Sequence, residues 1–217
     1  MKLAIYGAGG MGRDVLALAR EMNQWDNIVM VVDSQYLPNE RACNGCPIVC
    51  LENVESLYDK NELEFLICTG EPKDRKTFCQ RVIEKGFSLG KLVHPSVQLH
   101  GYSSIADGAV IYPGCVLASG VTVGYNATIS FNAVIGHDTI IGEHCSICPG
   151  ACIAGFTKWG ECSLGGLGCM VREQTSIGKY SVVGQGAVVV KDVPDYTTVV
   201  GNPAKQLGQT GIRKVFK

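Results

Sequence analysis

The sequence of 217 residues predicts two folds in one chain. We expect an α/β, Rossmann-like domain over residues 1–90 and an all-β domain, a left-handed parallel β-helix, over residues 91–217. In the first part, short apolar segments typical of strands alternate with segments whose apolar residues have helical spacing. In the second part, an apolar residue recurs at every sixth position. The boundary is expected near residues 90–97.

The first domain begins with a β-α-β unit. Residues 2–7 (KLAIYG) are an apolar strand, residues 12–22 (GRDVLALAREM) have helical spacing, and residues 27–33 (NIVMVVD) are a second buried strand. Residues 34–47 are expected to form a loop. A strand over residues 64–70 and a helix over residues 72–86 follow, with Pro72 in the first turn and Gly86 after the last. These elements predict a small parallel sheet flanked by helices.

The second domain keeps a six-residue phase from residue 105 to residue 189. A helix would need apolar residues near every 3.6 positions, so the phase predicts a β-helix with three faces per turn, hence five coils. Val93 and Leu99 fit the same phase. We expect Gly124, Gly136 and similar glycines to ease the bends. The fifteen positions are Ile105, Ile111, Leu117, Val123, Ile129, Ile135, Ile141, Ile147, Ile153, Trp159, Gly165, Val171, Ile177, Val183 and Val189.

Composition narrows the function classes. Nineteen Lys and Arg against 20 Asp and Glu give a net charge of −1, so no nucleic-acid partner is expected. The apolar run at the N-terminus breaks at glycines too early for a signal peptide or a membrane span, so we expect a cytoplasmic protein with no membrane partner. The eleven cysteines are expected to be mostly buried thiols. Cys43, Cys46 and Cys50 lack a second ligand pair, which favours a turn over a zinc site.

A glycine loop, GAGGMG, joins the first strand to the first helix. Its G-x-G-x-x-G spacing lets backbone amides approach a phosphate at the positive end of a helix. An NAD-dependent oxidoreductase is one alternative, but about 90 residues give only half of a dinucleotide fold, so a mononucleotide or nucleotide sugar fits better. A tight turn without ligand is another alternative. The residues expected to bind a nucleotide sugar are Gly7, Gly9, Gly10, Met11, Gly12, Asp33, Ser34 and Arg75.

Two of those residues carry specific expectations. Asp33 closes the second strand, where a carboxylate can accept hydrogen bonds from a ribose or a base. Arg75 follows the end of a later strand, where it either lines the nucleotide pocket or belongs to a solvated helix start.

His137 and Asp138 lie within the unbroken repeat and offer a possible base and a carboxylate. His137 lies two places after the inward Ile135, so its ring should reach a face or groove and not the interior. A surface histidine without a role is the alternative. His137 and His144 are seven residues apart, which places them on different faces, so no metal is expected.

Several motifs together resemble one family. GAGGMGRDV, VDS, HPS, IGHD and VVVKDVPDYTTVVGNPAK, which extend to about Lys205, resemble the sialic acid O-acetyltransferase and bacillosamine N-acetyltransferase family of acyl-CoA-dependent sugar acyltransferases. The resemblance implies a homotrimer with acetyl-CoA as co-substrate in a groove between neighbouring β-helices. It also implies that a nucleotide-linked sugar approaches from the N-terminal domain of an adjacent subunit.

The resemblance also implies roles for individual residues. His137 would be the general base, and Asp138 the acid beside it. Ser146 stands where some relatives have a second histidine, and Met11 stands where some have a histidine. Gly155 would aim its backbone N–H at the thioester oxygen, and Ser146, Gly155, Leu167 and Gln185 would contact the acyl-CoA.

The expected function is therefore acetyl transfer from acetyl-CoA to a nucleotide-linked amino sugar in glycan biosynthesis. Two alternatives remain open: acetylation of a sugar or sialic acid hydroxyl, and a non-catalytic trimeric scaffold that binds a nucleotide sugar. The short basic tail past Lys205 is expected to cover the last coil, protect its open edge or help bind CoA phosphates.

Overall fold

A computed structural model describes residues 1–209. The chain divides into two compact units, one of Met1–Gly70 with Asp74–Lys91 and one of Glu71–Lys73 with the chain from Leu92 onward. The functional division of the chain stays a prediction. No helix among the described residues is long and apolar enough to cross a bilayer, and the two longest that they form have 13 residues each.

The first unit is an α/β structure, as the alternating pattern predicted. Its sheet has the strand order β3-β4-β2-β1-β5-β6, and all neighbours are parallel except β3 and β4. Two short 3-10 turns cover Ser34–Tyr36 and Leu51–Asn53. The elements are β1 Lys2–Tyr6, α1 Gly10–Met22, β2 Asn27–Val32, β3 Ala42–Cys43, β4 Cys46–Cys50, α2 Val54–Leu57, β5 Leu63–Ile67, α3 Pro72–Glu84 and β6 Ser88–Leu89.

The central strand explains why this unit forms a parallel sheet. Leu3, Ala4 and Ile5 of β1 are all fully buried, because a parallel strand is covered on both faces and needs no polar alternation. The expected strands at residues 2–7, 27–33 and 64–70 are confirmed to within a few residues.

The expectation of a loop over residues 34–47 is wrong in part. Within it, β3 and the start of β4 form an antiparallel hairpin. Asn44 and Gly45 make its turn with φ of 50° and 71°, the positive values that a two-residue hairpin turn requires. Cys43 and Cys46 flank this turn, and the Cys46 thiol donates to the Ile28 carbonyl at 3.2 Å. The cysteine spacing therefore marks a hairpin, as the turn interpretation favoured.

The second unit is a parallel β-helix, which confirms the predicted fold class. From Leu92 to Val189 its strands have two residues each and follow one another around three faces. In the part of the chain described, the first face holds β7, β10, β13, β16, β19, β22, β24 and β25, the second β8, β11, β14, β17, β20 and β23, and the third β9, β12, β15, β18 and β21.

The strands follow one another closely along the chain. They are β7 Leu92–Val93, β8 Gln98–Leu99, β9 Ser104–Ile105, β10 Val110–Ile111, β11 Val116–Leu117, β12 Thr122–Val123, β13 Thr128–Ile129, β14 Val134–Ile135, β15 Ile140–Ile141, β16 Ser146–Ile147, β17 Cys152–Ile153, β18 Lys158–Trp159, β19 Leu164–Gly165, β20 Met170–Val171, β21 Ser176–Ile177, β22 Val182–Val183, β23 Val188–Val189, β24 Thr197–Val200 and β25 Lys205–Gln209.

The interior of the β-helix holds the residues that the six-residue phase selected. Ile111 pairs with Ile129 and Ile129 with Ile147, so identical positions stack at an interval of 18 residues. Val93 and Leu99 open a further coil below the predicted five. Gly165 leaves room for Trp159, because a Cβ at Gly165 would lie 2.9 Å from the Trp159 ring. The Trp159 indole N–H is buried without an acceptor among the described residues.

The expected role of the repeat glycines is wrong in its physical reason. Gly136 does not have a positive φ, and a Cβ there would lie 2.5 Å from the backbone nitrogen of Gly155. The glycine is needed because successive coils approach closely. The bends are made by other residues in the left-handed region, including Asn132, Asp138 and His144 with φ of 57°, 55° and 58°.

The described part of the tail lies at the edge of the first face. β25 pairs antiparallel with β24, which supplies a partner for the edge of that sheet. The remaining tail, residues 210–217, lies outside the described residues, and so does the expectation about CoA phosphates that rests on it.

Candidate active site

His137 lies at the corner between the second and third faces. It stands between β14 and β15, and Asp138 makes the bend in the left-handed conformation that a short polar side chain tolerates. The His137 side chain is 56% exposed, which confirms that it points away from the interior. Its Nδ1 lies 2.9 Å from Asp138 Oδ2. Because a carboxylate only accepts hydrogen bonds, this contact selects the tautomer with a proton on Nδ1, in which Nε2 has the lone pair that a base needs.

Gly155 lies beside His137 on the next coil. A Cβ at Gly155 would be 2.7 Å from His137 Nε2, so the missing side chain is what lets the ring occupy this place. The Gly155 carbonyl accepts from the Gln174 N–H at 3.0 Å, whereas the Gly155 N–H donates to no acceptor within residues 1–209. The structure therefore brings together His137, Asp138 and Gly155.

Phe156 is a neighbour of His137 that the sequence analysis missed. Its ring meets the imidazole edge to face, with centroids 4.9 Å apart and planes at 88°. Its backbone N–H donates to the His137 carbonyl at 2.9 Å. Phe156 adopts a φ of 58°, which is uncommon for a bulky residue. The 18-residue coil interval was the signal that could have found it, since position 156 lies directly above Asp138.

A pocket of about 380 Å³ lies against this corner. It extends along the third face, where Ile140, Lys158 and Ser176 are in register on successive coils. The pocket gives a substrate space at this corner, next to Asp138 and Phe156, which both contact His137. Its lining residues are Asp138, Phe156, Lys158, Gln174 and Ser176.

The other residues expected to contact acyl-CoA lie elsewhere on the same chain. Leu167 and Gln185 lie on successive coils at the corner between the first and second faces, where the Gly186 N–H donates to the Leu167 carbonyl. Ser146 lies on the first face, is only 5% exposed, and accepts a hydrogen bond from Thr128 Oγ1 at 3.4 Å. Within one chain the second face separates Leu167 and Gln185 from His137.

The second face carries an apolar strip, which we define as the outward residues Val116, Val134, Cys152, Met170 and Val188. These residues are in register on successive coils. Val134 is 43% exposed and Met170 is 53% exposed. The strip runs between the two corners that hold the expected catalytic and acyl-CoA residues.

The glycine loop of the first unit has the geometry of a phosphate-binding turn. Gly7 has a φ of +124°, and a Cβ there would lie 2.5 Å from the Cys68 carbonyl oxygen. A Cβ at Gly12 would overlap the Gly7 carbonyl oxygen, whereas Cβ atoms at Gly9 and Gly10 would meet nothing within 4 Å. Two glycines therefore serve packing, and two leave the start of α1 open to a ligand. Met11 follows them in the first turn of α1, partly buried.

Asp33 already has partners inside the first unit. Tyr6 donates its hydroxyl to Asp33 Oδ1, and Arg81 Nη1 donates to Oδ2 at 3.0 Å. Burial raises the pKa of Asp33, but the hydrogen bonds from Arg81 and Tyr6 outweigh it and hold that pKa below its usual value. The expected contact with a ribose or base would have to compete with these donors. Tyr6 and Arg81 were not found from the sequence.

The two remaining nucleotide-site candidates differ in exposure. Ser34 is exposed in a 3-10 turn after β2. Arg75 is fully buried and its Nη1 donates to the Thr69 carbonyl at 3.1 Å, so the alternative of a solvated helix start is wrong for this residue.

One cluster with metal-ligand chemistry lies at the third corner, away from His137. Glu143, His144 and Glu161 each place one ligand atom within 4.8 Å of the others. His144 Nδ1 is 3.0 Å from Asn126 Nδ2. His137 and His144 stand at different corners, as their spacing predicted. We assign no metal to the cluster, since exposed acidic groups of this kind are common without one.

Comparison with known proteins adds independent evidence. Residues 2–82 match the family described as the PglD N-terminal domain. The acetyltransferase domain of PglB from Neisseria gonorrhoeae is 33% identical, with a TM-score of 0.76 over 95% of this chain and 99% of that one; it has also been solved with acetyl coenzyme A. A mutant perosamine N-acetyltransferase from Caulobacter crescentus, solved with CoA and GDP-perosamine, is 26% identical, with a TM-score of 0.88 over 96% of this chain and 98% of that one.

The curated relatives match only a short segment. A putative acetyltransferase from Schizosaccharomyces pombe is 50% identical over 42 residues, which is 19% of this chain and 20% of that protein. The chain thus spans about a fifth of the length of the curated relatives that it matches.

Proposed function

Because the chain belongs to the sialic acid O-acetyltransferase and bacillosamine N-acetyltransferase family of acyl-CoA-dependent sugar acyltransferases, we propose that it transfers an acetyl group from acetyl-CoA to the amino group of a nucleotide-linked sugar. The observation that carries this proposal is the group of His137, Asp138 and Gly155 at a corner where Asp138 also lines a pocket. The solved relatives that bind CoA, acetyl-CoA or GDP-perosamine support the choice of both substrates.

His137 is the proposed general base. As the sugar nitrogen attacks the thioester carbon, Nε2 accepts the proton that the nitrogen loses. The C–S bond then breaks, and the imidazolium returns this proton to the leaving CoA thiolate. A positioned base of this kind typically contributes about 10²–10⁴-fold in rate. Asp138, 2.9 Å from Nδ1, stabilises the imidazolium that results.

Gly155 is the proposed donor to the developing oxyanion. Its N–H has no acceptor among the described residues, and it lies on the coil directly above His137. A donor fixed before the reaction stabilises charge that appears only in the transition state, and loss of one such donor typically costs about 3–4 kcal/mol.

The first unit is the proposed site for the nucleotide part of the acceptor. The open amides around Gly9 and Gly10 at the start of α1 suit a phosphate, because they add to the positive end of the helix dipole. The Asp33 carboxylate, held by Tyr6 and Arg81, stands at the adjacent strand end.

We propose a homotrimer as the active form. The apolar strip on the second face is the surface that a second copy would cover. Leu167 and Gln185 lie on the other side of that strip from His137, so a neighbouring copy is needed if all of these residues contact one acetyl-CoA. A head-to-tail contact repeated about a threefold axis closes a ring.

The test is a substrate panel with acetyl-CoA as donor. CoA release and acetylated product are measured with UDP-, dTDP-, GDP- and CMP-linked amino sugars, and with matching sugars that carry a hydroxyl in place of the amine. We expect turnover with an amino sugar. Turnover with only hydroxyl acceptors would favour O-acetylation, and no turnover at all would favour the scaffold.

A variant pair tests the base directly. His137→Asn should lower kcat by about 10²–10⁴-fold. His100→Asn, an exposed histidine at the same corner in the first coil, is the matched control and should keep wild-type kcat. Full activity of His137→Asn would refute the assignment.

A further inference from the structure

Lys158 is the single basic residue among the five that line the pocket beside His137. It opens β18 on the third face, where the next residue, Trp159, is anchored in the interior at 2% exposure. Because successive residues of a strand point to opposite faces, this anchor directs the Lys158 side chain outward. The position of the ammonium group beside the pocket thus follows from the packing of its neighbour.

The Lys158 ammonium has no carboxylate within ion-pair distance among residues 1–209. It also makes no hydrogen bond with any residue of the described chain. The outward residues in register above and below it, Ile140 and Ser176, are uncharged. Asp138 lines the same pocket with its Oδ2 directed to His137 Nδ1 at 2.9 Å, and Asp192 accepts from the Ser176 N–H at 2.8 Å.

We infer that Lys158, with the polar groups of Gln174 and Ser176, binds a phosphate group of a substrate beside the catalytic base. Acetyl-CoA and every nucleotide-linked sugar of the panel carry at least one phosphate, and all of them except the CMP-linked sugars carry a diphosphate, so the inference rests on the proposed function and deepens it. Lys158 lies one coil above Ile140, a separation of about 4.8 Å. A bound phosphate at this point would hold the substrate close to His137, which makes Lys158 a positioning residue.

Lys158→Met is the variant that tests this inference. Methionine keeps the apolar part of the side chain and removes the charge, so the exposed position should still fold. The apparent KM for one substrate should rise by about 10–100-fold, the range for losing a charged hydrogen bond. Lys158→Arg should restore most of the loss. Lys179→Met, an exposed lysine at a different corner, is the matched control and should change KM by less than about twofold.

Three measurements identify which substrate supplies the phosphate that Lys158 binds. A raised KM only for the nucleotide sugar assigns its diphosphate, and a raised KM only for acetyl-CoA assigns that of CoA. With an acetyl-pantetheine donor, which lacks the diphosphate, wild type and Lys158→Met should differ only if the nucleotide sugar is the source. In the wild type the affected KM should also rise with ionic strength, and in Lys158→Met it should not.

Direct binding separates failure of this inference from failure of the proposed function. Calorimetric titration with CoA and with a nucleoside diphosphate needs no turnover, so it tests Lys158 even if no acceptor reacts. An active wild type with unchanged KM and unchanged binding in Lys158→Met would overturn the inference and leave the acetyltransferase proposal intact.

Discussion

Gly155→Ala is expected to reduce acetyl transfer by about 100-fold by moving the proposed base. The new Cβ would lie 2.7 Å from His137 Nε2, 2.8 Å from Cε1 and 3.0 Å from Cδ2. Carbon contacts are comfortable only from about 3.5 Å, so the ring must shift by about 0.8 Å. A misplacement of about 1 Å at a reacting group can cost about 10²-fold in rate.

The same change should not destabilise the protein. Gly155 does not have a positive φ, so alanine can adopt its backbone conformation. At such positions alanine stabilises by about 0.4–1 kcal/mol through the unfolded chain. The His137 side chain is 56% exposed and can swing outward without opening the interior. The midpoint of thermal unfolding should therefore stay the same or rise while kcat falls.

Steady-state kinetics with product detection and thermal unfolding together test this prediction. Gly101→Ala is the matched control, because Gly101 occupies the same place in the coil three turns earlier and a Cβ there would meet nothing within 4 Å. Wild-type kcat in Gly155→Ala, or a loss no larger than in Gly101→Ala, would refute the reasoning that His137 acts from its observed position.

Three further outcomes are expected. Gly165→Ala should lower the free energy of unfolding by about 1–3 kcal/mol through overpacking against Trp159, with kcat unchanged; a denaturant midpoint equal to wild type would contradict this. Asp33→Asn should lower the free energy of unfolding at pH 7. Because folding lowers the pKa of Asp33, the stabilisation by its carboxylate is present above the usual carboxyl pKa near 3.9 and is lost as pH falls through the lower pKa of the folded state. A difference in unfolding free energy between the variant and the wild type that persists in strong acid would count against this prediction. Burial raises the pKa of Cys169 to about 12, whereas Cys43 is partly exposed beside the hairpin turn. Mass spectrometry after thiol labelling at pH 8 should therefore find Cys43 modified and Cys169 intact, and early labelling of Cys169 would contradict the burial.

The β-helix could be predicted almost completely from the sequence. Its interior positions recur with a fixed period, so a simple count places Ile129 above Ile111 without any other information. The strands of the first unit were harder to predict. The strand Cys46–Cys50 is short and contains Pro47, so its sequence resembles that of a loop. The structural role of Gly136 could not be predicted either, since the sequence does not distinguish a glycine needed for a positive φ from one needed for the close approach of two coils.

The candidate site was predicted where its residues are adjacent in sequence or repeat. His137 and Asp138 are neighbours in the chain, and their contact follows from the bend between two short strands. The hydrogen bonds of Asp33 depend on how α3 packs to bring Arg81 to the end of β2, which no local pattern shows. Phe156 could have been predicted as a neighbour of this site, because it lies one coil length of 18 residues after Asp138.

Because each coil has 18 residues, the length of the β-helix can change without changing the direction in which its corner residues face. Adding one whole coil above Gln174 would lengthen the molecule by about 4.8 Å and keep every later corner facing the same way. Adding six residues would instead turn each later corner by one face. Evolution can therefore fit this architecture to longer or shorter donors by gain or loss of complete coils, with the orientation of the imidazole preserved.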